Sequence, residues 1–492
     1  MEIKVAIIGA GPNGIWASKL LIEKGYEVTL FEAGSKNLVT SELSNANYTF
    51  ATPSAVPNLS HSLGGGSNLW LGRIGEFREA DFLSIDGVRK SDWPFEIGDL
   101  AEHYLATSKF LTNRSLSDFD VLKILELGLG DTLCDELMLR TYRFINLDSF
   151  NECMNALQQN PLFTLKLNSL CVDLKESDEG KVTVHVKSDG KEYDHQFDRV
   201  VVCGGALQST ALMLRSKELL GFKAASLIGV GLMEHMDGYV GNIVAKRNKD
   251  GRKLSRLALR SDRTTPLQES YRAGFGITLS DKFLEEKKLL NFHIEIVPYQ
   301  SRYRFENYVH PTHKFSQNAI ISTLMKLGLL VEKVVKKSVF LASSPILRLL
   351  DLEIYSLWLK GEEIPHMESR VFLDPLSKEK IVYRHQVSKE TVANLQQGLR
   401  EIKRIFAENE IGRIHLYRYM MKKSGKVYLR PNWHPMGTLR IAESNGVVNR
   451  NFLFGNTKSI YVGDSSIFNT GSNANPTFTA MALVHKLVTE NF

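Results

Sequence analysis

The spacing of apolar residues changes along the chain, and each change predicts a different kind of element. Residues 3–8 form a short β-branched run typical of a buried parallel strand, and residues 27–31 form a second one. From about residue 239 apolar and polar positions alternate over longer runs, which favours an antiparallel sheet with one buried face. The pattern therefore predicts an α/β chain in which a parallel sheet is combined with an antiparallel one.

Between the first two strands lies a glycine-rich turn, Gly9-Ala10-Gly11-Pro12-Asn13-Gly14, which leads into a helix over residues 15–24. Gly9 permits a tight turn, Gly11 lets the backbone approach a pyrophosphate, and Gly14 lets the helix pack closely on the strand. The start of the helix would present free N–H groups to phosphates. The same glycine spacing also occurs in strand-to-helix turns that bind no ligand.

Glu32 follows the second strand at the distance expected of a ribose ligand, because its carboxylate can accept hydrogen bonds from the adenosine ribose hydroxyls. Strand, turn, helix, second strand and acidic residue occur in the expected order. We therefore expect a nucleotide site at this end of the chain.

Two later segments also join glycines to apolar residues. Residues 61–77 contain Gly64, Gly65 and Gly66, and the Leu69-Trp70 pair that follows argues against a merely flexible loop. A buried strand over residues 197–203 ends at Gly204-Gly205 and continues into a helix over residues 207–214. Both segments would allow a nucleotide to come close to the backbone.

Strands over residues 163–176 and 182–187, with a hairpin turn at Asp189-Gly190, complete the predicted nucleotide-binding sheet. The antiparallel part is predicted from alternating runs in a second region, followed by an amphipathic helix over residues 390–408. These runs cover residues 239–245, 273–279, 291–298 and 370–373. We expect a discontinuous nucleotide domain (1–90, 155–238 and 430–492) and an inserted substrate domain (91–154 and 239–429).

Three features follow one another near the C-terminus. His434 lies among turn residues, and a short strand over residues 459–462 ends beside Asp464. Asn475-Pro476 then opens a helix that continues to about residue 488. Asparagine followed by proline is a helix-start signature, so Asn475 is predicted as an N-cap. The start of this helix would also stabilise negative charge on a ligand placed beside it. Capping and contact with a substrate oxygen are compatible roles for Asn475.

Composition excludes several classes of protein. The net charge of +6 over 492 residues is small, and no basic cluster interleaved with aromatic residues suggests nucleic acid. The four cysteines are scattered without a C-x-x-C pair, so neither a metal site nor a disulfide framework is expected. The nucleotide strand begins almost at the first residue and no apolar run would span a bilayer, from which we expect a cytoplasmic protein.

The stretch over residues 320–359 carries apolar residues interleaved with lysines, among them Leu324, Leu327 and Lys326. One interpretation is an amphipathic helix that covers the substrate domain. The other is a lid or membrane-surface helix for a lipid-linked substrate.

Several segments together resemble the glucose-methanol-choline (GMC) oxidoreductases. The signature at residues 434–438 (HPMGT), followed by YVGDSS and then NPTFTAMAL, resembles the C-terminal pattern of the family. GGGSNLWLGR, DWPFEIGDLAEHY, VVVCGGALQSTALML, VGLMEHMDGYV and MESRVFLDP resemble internal motifs in family order. The resemblance implies a Rossmann-type FAD-binding domain of the GMC/p-hydroxybenzoate hydroxylase-like kind, joined to an α+β substrate domain built on an antiparallel sheet.

The resemblance also implies roles for individual residues. His434 matches the catalytic base and Asn475 its partner, Val172 matches the residue whose backbone meets the adenine, and Asp464 matches an acid near the FAD diphosphate and ribityl chain. The remaining residues implied to bind FAD are Gly9, Gly11, Pro12, Asn13, Gly14, Glu32, Ala33, Gly65, Gly66, Ser67, Asn68, Gly204, Pro476 and Thr477. Leu69 stands where some members carry a histidine bonded covalently to flavin, so non-covalent FAD is expected.

Other departures from the family pattern are Gly66 where Thr or Ser is common, the Cys203-Gly204 pair, and Glu234 in place of an aspartate before His235. The implied activity is oxidation of an alcohol, expected to be a hydroxyl of a sugar, polyol or related intermediate, to a carbonyl. The alternatives are a flavin oxidase of the same fold that uses oxygen or acts on a lipid or sterol-like substrate, and a flavin-binding partner module without turnover. The sequence does not identify the electron acceptor.

Overall fold

The structure is a computed structural model, and it describes residues 3–36, 48–50, 60–70, 72–117, 132–145, 148–246, 265–266, 272–299, 346–347, 349–377, 380–421 and 429–492. The strands in chain order are β1 Lys4–Ile8, β2 Glu27–Phe31, β3 Tyr48–Phe50, β4 Arg73–Ile74, β5 Thr132–Cys134, β6 Leu137–Phe144, β7 Phe163–Lys166, β8 Leu170–Glu176, β9 Val182–Ser188, β10 Lys191–Phe197, β11 Arg199–Val202, β12 Met236–Lys246, β13 Thr265–Pro266, β14 Arg272–Leu279, β15 Phe292–Pro298, β16 Leu352–Gly361, β17 Arg370–Leu373, β18 Ile381–Arg384, β19 Arg413–Leu416, β20 Arg430–Pro431, β21 Ile441–Ala442, β22 Val448–Asn449 and β23 Ile460–Val462. The α-helices are α1 Pro12–Glu23, α2 Glu79–Phe82, α3 Ala101–Thr112, α4 Ser149–Gln158, α5 Gly205–Arg215, α6 Asp281–Lys287, α7 Lys389–Glu408 and α8 Pro476–Asn491.

A five-stranded parallel sheet carries the N-terminal glycine turn. Its strand order is β23-β11-β1-β2-β7, and every neighbouring pair is parallel. The central strands β1 and β11 are almost entirely buried, since helix α1 packs on the parallel sheet and strand β10 of the three-stranded sheet also contacts β1. The C-terminal strand β23 therefore completes the sheet that the first residues of the chain begin.

Helices α1 and α8, from opposite ends of the chain, pack against each other, and α8 also packs on α3. Trp16 of α1 stacks on Phe110 of α3 with ring centroids 4.5 Å apart. These helices share one apolar core with the parallel sheet. Helix α1 begins at Pro12, three residues earlier than predicted, because a proline fits the first helical position and Gly11 is its N-cap.

The antiparallel hairpin β8-β9-β10 lies in a separate three-stranded sheet. Asp189 and Gly190 both have positive φ, as a two-residue hairpin turn requires, so the predicted turn is confirmed. The prediction of a single strand over residues 163–176 is wrong. The strand is broken at Asn168, whose φ of +50° leaves the extended region, and its two halves join different sheets. Phe197 likewise ends β10 and does not belong to the strand that leads to Cys203.

The predicted antiparallel sheet is the largest in the described part of the molecule, with the order β19-β12-β16-β15-β14-β6-β4, and β5, β13 and β20 pair at its margins. Helix α7 packs on it through Leu395 and Leu399, which lie in the second apolar core. A Cβ on Gly398 would lie 2.3 Å from the Phe292 ring, so glycine is needed for this close approach.

Two predictions for this region need correction. Residues 370–373 do form a strand, but it belongs to the small sheet β17-β18-β3 and not to the large one. The last residues of the stretch 320–359 are not helical. They belong to strand β16, which pairs with β12 on one side and with β15 on the other. The lysine-rich part with Leu324, Lys326 and Leu327 lies outside the described residues. Within the described part of the chain, no helix has the length and apolar character needed to cross a bilayer.

The predicted domain boundaries remain a prediction. The segment 91–154 is divided in its packing: α3 contributes Tyr104 and Leu111 to the core of the parallel sheet, whereas β6 pairs with β14 in the large sheet. Most of the candidate site residues predicted from the sequence line one cavity, which is described below.

Candidate active site

The glycine turn after β1 is shaped by close backbone contacts. Gly9 has φ +102°, and a Cβ there would lie 2.8 Å from the carbonyl oxygen of Cys203. A Cβ on Gly14 would lie 1.9 Å from the carbonyl oxygen of Gly9, whereas the space beside Gly11 is open. The turn can thus hold α1 against the sheet while Gly11 leaves room for a group of the ligand.

Glu32 is buried at the end of β2 and its carboxylate bonds to the backbone. One oxygen accepts from the N–H of Ala10 at 3.0 Å and the other from the N–H of Gly34 at 2.9 Å. Burial raises the pKa of Glu32, and these backbone N–H groups oppose the rise. A carboxylate has about four lone-pair positions, so acceptor capacity remains for two ribose hydroxyls.

The 64–68 segment forms a 3₁₀ turn, Gly65–Asn68, against the first glycine turn. Gly65 has φ +52°, and a Cβ there would lie 3.1 Å from the Cα of Gly11. Asn68 donates to the carbonyl of Leu63 at 2.9 Å and to the Ser62 hydroxyl at 3.1 Å, so its side chain holds the loop in shape.

Asp464 is fully buried behind the second glycine pair. Its carboxylate accepts from the Gly205 N–H at 2.9 Å, from the Ser209 hydroxyl at 2.5 Å and from the Ser466 N–H at 2.9 Å. Gly204 and Gly205 line the cavity described below, but Asp464 does not. Asp464 therefore positions the loop at the end of β11.

One cavity of about 540 Å³ connects these loops, a volume within the range of small-molecule sites. The predicted residues that line it are Gly9, Gly11, Pro12, Asn13, Glu32, Ala33, Gly65, Gly66, Ser67, Gly204, His434, Asn475, Pro476 and Thr477. Gly14, Asn68, Val172 and Asp464 are not among its lining residues. Val172 lies at a register shift of β8, where its neighbours Leu170 and Cys171 line the cavity instead.

His434 is brought to the cavity by backbone pairing between two segments. Met233 and Met436 exchange backbone hydrogen bonds of 3.0 and 3.1 Å, and the N–H of Asn432 donates to the carbonyl of His235 at 3.0 Å. The N–H of His434 donates to the Glu234 carboxylate at 2.6 Å. The preceding residue, Trp433, has φ +60°, a strained conformation for a bulky side chain, and it also lines the cavity.

The hydrogen bonds of two histidines assign the tautomer of His434. His235 Nε2 lies 2.9 Å from the carbonyl oxygen of Gly471, so this nitrogen carries the proton. Burial lowers the pKa of His235 well below its usual value, which leaves its Nδ1 as an acceptor. His434 Nδ1, 3.0 Å away, must then be the donor. The Nε2 of neutral His434 is left unprotonated, as a base requires.

The electrostatic surroundings keep His434 neutral. Burial lowers the pKa of His434 well below the usual range, and the positive charges of Lys360 and Arg73 add to this effect. A neutral imidazole can accept a proton from a ligand hydroxyl.

Asn475 is the N-cap of α8, as predicted, but its side chain does not cap the helix. Its Oδ1 accepts a hydrogen bond from the Lys360 ammonium, and its Nδ2 donates to the carbonyl of Arg73 at 3.1 Å. An amide has two N–H donors, so one remains for a ligand. Asn475 thus connects α8 with the large sheet.

Sequence reasoning missed Lys360 and Arg73, which line the cavity beside His434 and Asn475. Burial and the nearby Arg73 lower the pKa of Lys360 to about 7. Arg73 ends the GGGSNLWLGR segment and Lys360 lies near the end of an apolar strand, but nothing in the spacing connects either residue to residue 475.

The cavity wall fits a dinucleotide such as FAD. The Asn13 Oδ1 and Trp70 Nε1 atoms are buried without a hydrogen-bond partner in the described chain, and both residues line the cavity. Such atoms need a ligand or water partner. Together with the open space at Gly11 and the start of α1, they fit a ligand with phosphates and hydroxyls.

Residues 365–483 match the family model of the GMC oxidoreductases. This segment of the chain is thus similar to the GMC oxidoreductases. No curated protein matches the chain in sequence.

Solved structures with a similar fold match essentially the whole chain. Pyridoxine 4-oxidase from Mesorbium loti is 15% identical, with 100% of this chain and 99% of that chain covered and a TM-score of 0.59. A formate oxidase variant from Aspergillus oryzae RIB40 is 13% identical, with 99% and 98% covered and a TM-score of 0.58. A fungal aryl-alcohol oxidase is also 13% identical, with the same coverage and a TM-score of 0.55. These likenesses confirm the predicted fold class, a Rossmann-type domain combined with an antiparallel sheet.

Two departures from the GMC pattern can be located. Leu69 lines the cavity at the position where some GMC members carry a covalently bound histidine. Glu234, in place of aspartate, is fully buried and accepts from both the His434 N–H and the Tyr383 hydroxyl. The longer side chain is thus used to hold the histidine segment.

Proposed function

We propose that this chain is an FAD-dependent oxidoreductase that oxidises a CH–OH group of a small molecule to a carbonyl, with His434 as the base. The observation that carries the proposal is the hydrogen-bond series from Gly471 through His235 to His434. It supports an unprotonated Nε2 on a residue that lines the cavity.

The ADP part of the cofactor would be held by the glycine turn, by the start of α1 and by Glu32. The Gly65–Ser67 turn and the start of α8 would lie along the rest of the cavity. When bound, FAD supplies an acceptor for the hydride. Leu69 at the cavity wall supports non-covalent binding, because leucine offers no nucleophile for a covalent bond.

The protein groups would act on the substrate hydroxyl. His434 Nε2 removes its proton, a contribution typically worth ~10²–10⁴-fold in rate. The free N–H of Asn475 donates to the oxygen as negative charge develops on it. Lys360 fixes the orientation of the Asn475 amide through its bond to Oδ1.

An anaerobic scan tests the proposal. Purified protein is mixed with sugars, polyols and other alcohols while the flavin absorbance is followed. Bleaching by at least one alcohol is expected, with release of free FAD on acid precipitation. Flavin that no alcohol bleaches would refute the activity, and flavin that stays with the precipitate would refute non-covalent binding. Oxygen uptake compared with dye reduction identifies the electron acceptor.

A further inference from the structure

The charged residues that line the cavity are divided between its two ends. Glu32 lies at the nucleotide end, whereas Arg73 and Lys360 lie beside His434 and Asn475. Within the described chain, the charged side chains at the catalytic end of the cavity wall are thus both cations. A wall of one charge sign favours ligands of the opposite sign.

Arg73 is held in place by groups that do not line the cavity. Its guanidinium pairs with Glu295 at 2.5 Å and stacks on the Tyr142 ring, 3.8 Å from the ring centroid. Glu295 is buried and does not line the cavity. These contacts fix Arg73 at the wall without occupying the space in front of it.

Lys360 is buried, and the one hydrogen bond of its ammonium in the described chain goes to the neutral amide of Asn475. An ammonium has three donors, so two remain for a ligand. The largest charge effects on Lys360 come from Arg73, Asp237, Glu295 and Arg140. Buried charges ordinarily have a partner.

We propose that the substrate is an alcohol that carries an anionic oxygen group, a carboxylate or a phosphate, close to the carbon that is oxidised. This inference rests on the proposed function, because it concerns the same cavity. The anionic group binds the free donors of Lys360 beside Arg73. Lys360 donates a hydrogen bond directly to Asn475. An anionic group bound to Lys360 would therefore lie close to the substrate hydroxyl that faces His434. His434 would take the proton of the hydroxyl and bound FAD would supply the hydride acceptor, while the anionic group would remain unchanged.

Binding is measured first, without turnover. Acetate, acetamide and inorganic phosphate are titrated into the oxidised holoprotein while the flavin absorbance and the melting temperature are recorded. Acetate or phosphate should perturb both signals and acetamide should not. A larger response to phosphate than to acetate would identify a phosphoryl group, and the reverse a carboxylate. Equal responses to acetate and acetamide, or no response to either anion, would overturn the inference.

Variants of Lys360 test whether this residue binds the anion. Lys360→Met removes the charge at similar volume and should weaken anion binding at least about 30-fold, as loss of one partner of a buried charge pair does. Lys360→Arg keeps the charge and should retain most of the binding. Lys282→Met is a matched control, because Lys282 is exposed and its nearest charged partner is Glu286 at 3.9 Å. Anion binding that survives in Lys360→Met, or is lost equally in the control, would contradict the inference.

Turnover separates the two proposals. Gluconate is compared with glucitol, and glycolate with glycolamide, by the rate of flavin reduction. A preference for the acids that disappears in Lys360→Met supports the inference. A different result is that only neutral alcohols reduce the flavin and that Lys360→Met slows all of them equally. The charge of Lys360 would then stabilise the reduced cofactor and not bind the substrate. The inference would be wrong, while the proposed function would hold. If anions bind through Lys360 but nothing reduces the flavin, the proposed function fails and the anion site remains.

Discussion

His235 and His434 meet through their Nδ1 atoms, which lie 3.0 Å apart. The two rings are nearly perpendicular, at 80°. Only one of the two nitrogens can carry the shared proton, and the carbonyl of Gly471 at the far side of His235 decides which. The protonation of the proposed base is therefore set by a backbone oxygen that it does not contact.

His434→Ala should bind FAD but lose about 10²–10⁴-fold in the rate of flavin reduction, because the base is removed while the glycine turn is untouched. Rapid mixing under anaerobic conditions measures the rate. His185→Ala, in the β9-β10 hairpin, is the control and should behave like the unaltered protein. A His434→Ala rate close to that of the unaltered protein would show that another group accepts the proton.

His235→Leu should also slow reduction, because His434 Nδ1 then has no acceptor and either tautomer becomes accessible. His235→Asn offers an amide oxygen and should recover part of the rate. A purely structural role for His235 would change the melting temperature of both variants without a difference between their reduction rates. Comparison of the rates at matched stability decides between the two.

Glu32→Gln should weaken FAD binding and also lower the melting temperature of the apoprotein. The glutamine NH₂ would face one of the two backbone N–H groups that the carboxylate now satisfies. Hydrogen bonds to charged groups contribute about 1.5–3 kcal/mol, so roughly a tenfold or greater rise in the FAD dissociation constant is expected. Glu27→Gln alters a surface pair with Lys4 on the neighbouring strand and is the control. An unchanged dissociation constant would exclude Glu32 as the ribose ligand.

Asn475→Ala should slow flavin reduction, and Asn475→Ser should not restore the rate. Serine is as good a helix cap as asparagine, but the cap is not what this side chain provides, since its amide bonds to Lys360 and to the Arg73 carbonyl. The shorter serine hydroxyl cannot make both bonds. Full recovery of the reduction rate in Asn475→Ser would remove Asn475 from the catalytic residues.

Glu234 should make the apoprotein less stable as the pH rises from about 4.5 to 7. Burial raises the pKa of Glu234 to about 7 in the folded state, above the ordinary value of 4.5 that it has in the unfolded chain. Between these values the folded protein binds more protons than the unfolded chain, so the free energy of unfolding falls as pH increases. Glu234→Gln should flatten this dependence, as measured by urea unfolding at a series of pH values. An unaltered slope in Glu234→Gln would place the titration elsewhere.

The nucleotide end of the site could be predicted because its constraints are local. Gly9, Gly14 and Glu32 lie within one strand–helix–strand unit, and each meets a backbone group of that unit or of its neighbour. Glycine spacing and strand periodicity therefore carry the information. The break at Asn168 was missed because one residue with positive φ leaves no trace in an apolar pattern.

The substrate end could not be predicted in the same way. Lys360 reaches Asn475 because β16 is paired between β12 and β15, and Arg73 arrives on the two-residue strand β4. These contacts depend on the register of strands far apart in sequence. Asp464 shows a related limit: the family resemblance predicts that it lies near the cofactor, whereas in the structure its carboxylate accepts from the N–H of Gly205 and does not line the cavity.

The pairing of β11 with β23 has a consequence for biosynthesis. More than 450 residues separate Ile8 from Ile460, yet they belong to one sheet whose neighbouring helices α1 and α8 pack together. At synthesis rates of about 5–20 residues per second, the ribosome needs roughly 20–90 s to produce the intervening chain. During that time the apolar face of α1 lacks its partner. The nascent chain is therefore expected to expose apolar surface until synthesis ends, and a truncation that removes α8 should leave an aggregation-prone product without cofactor.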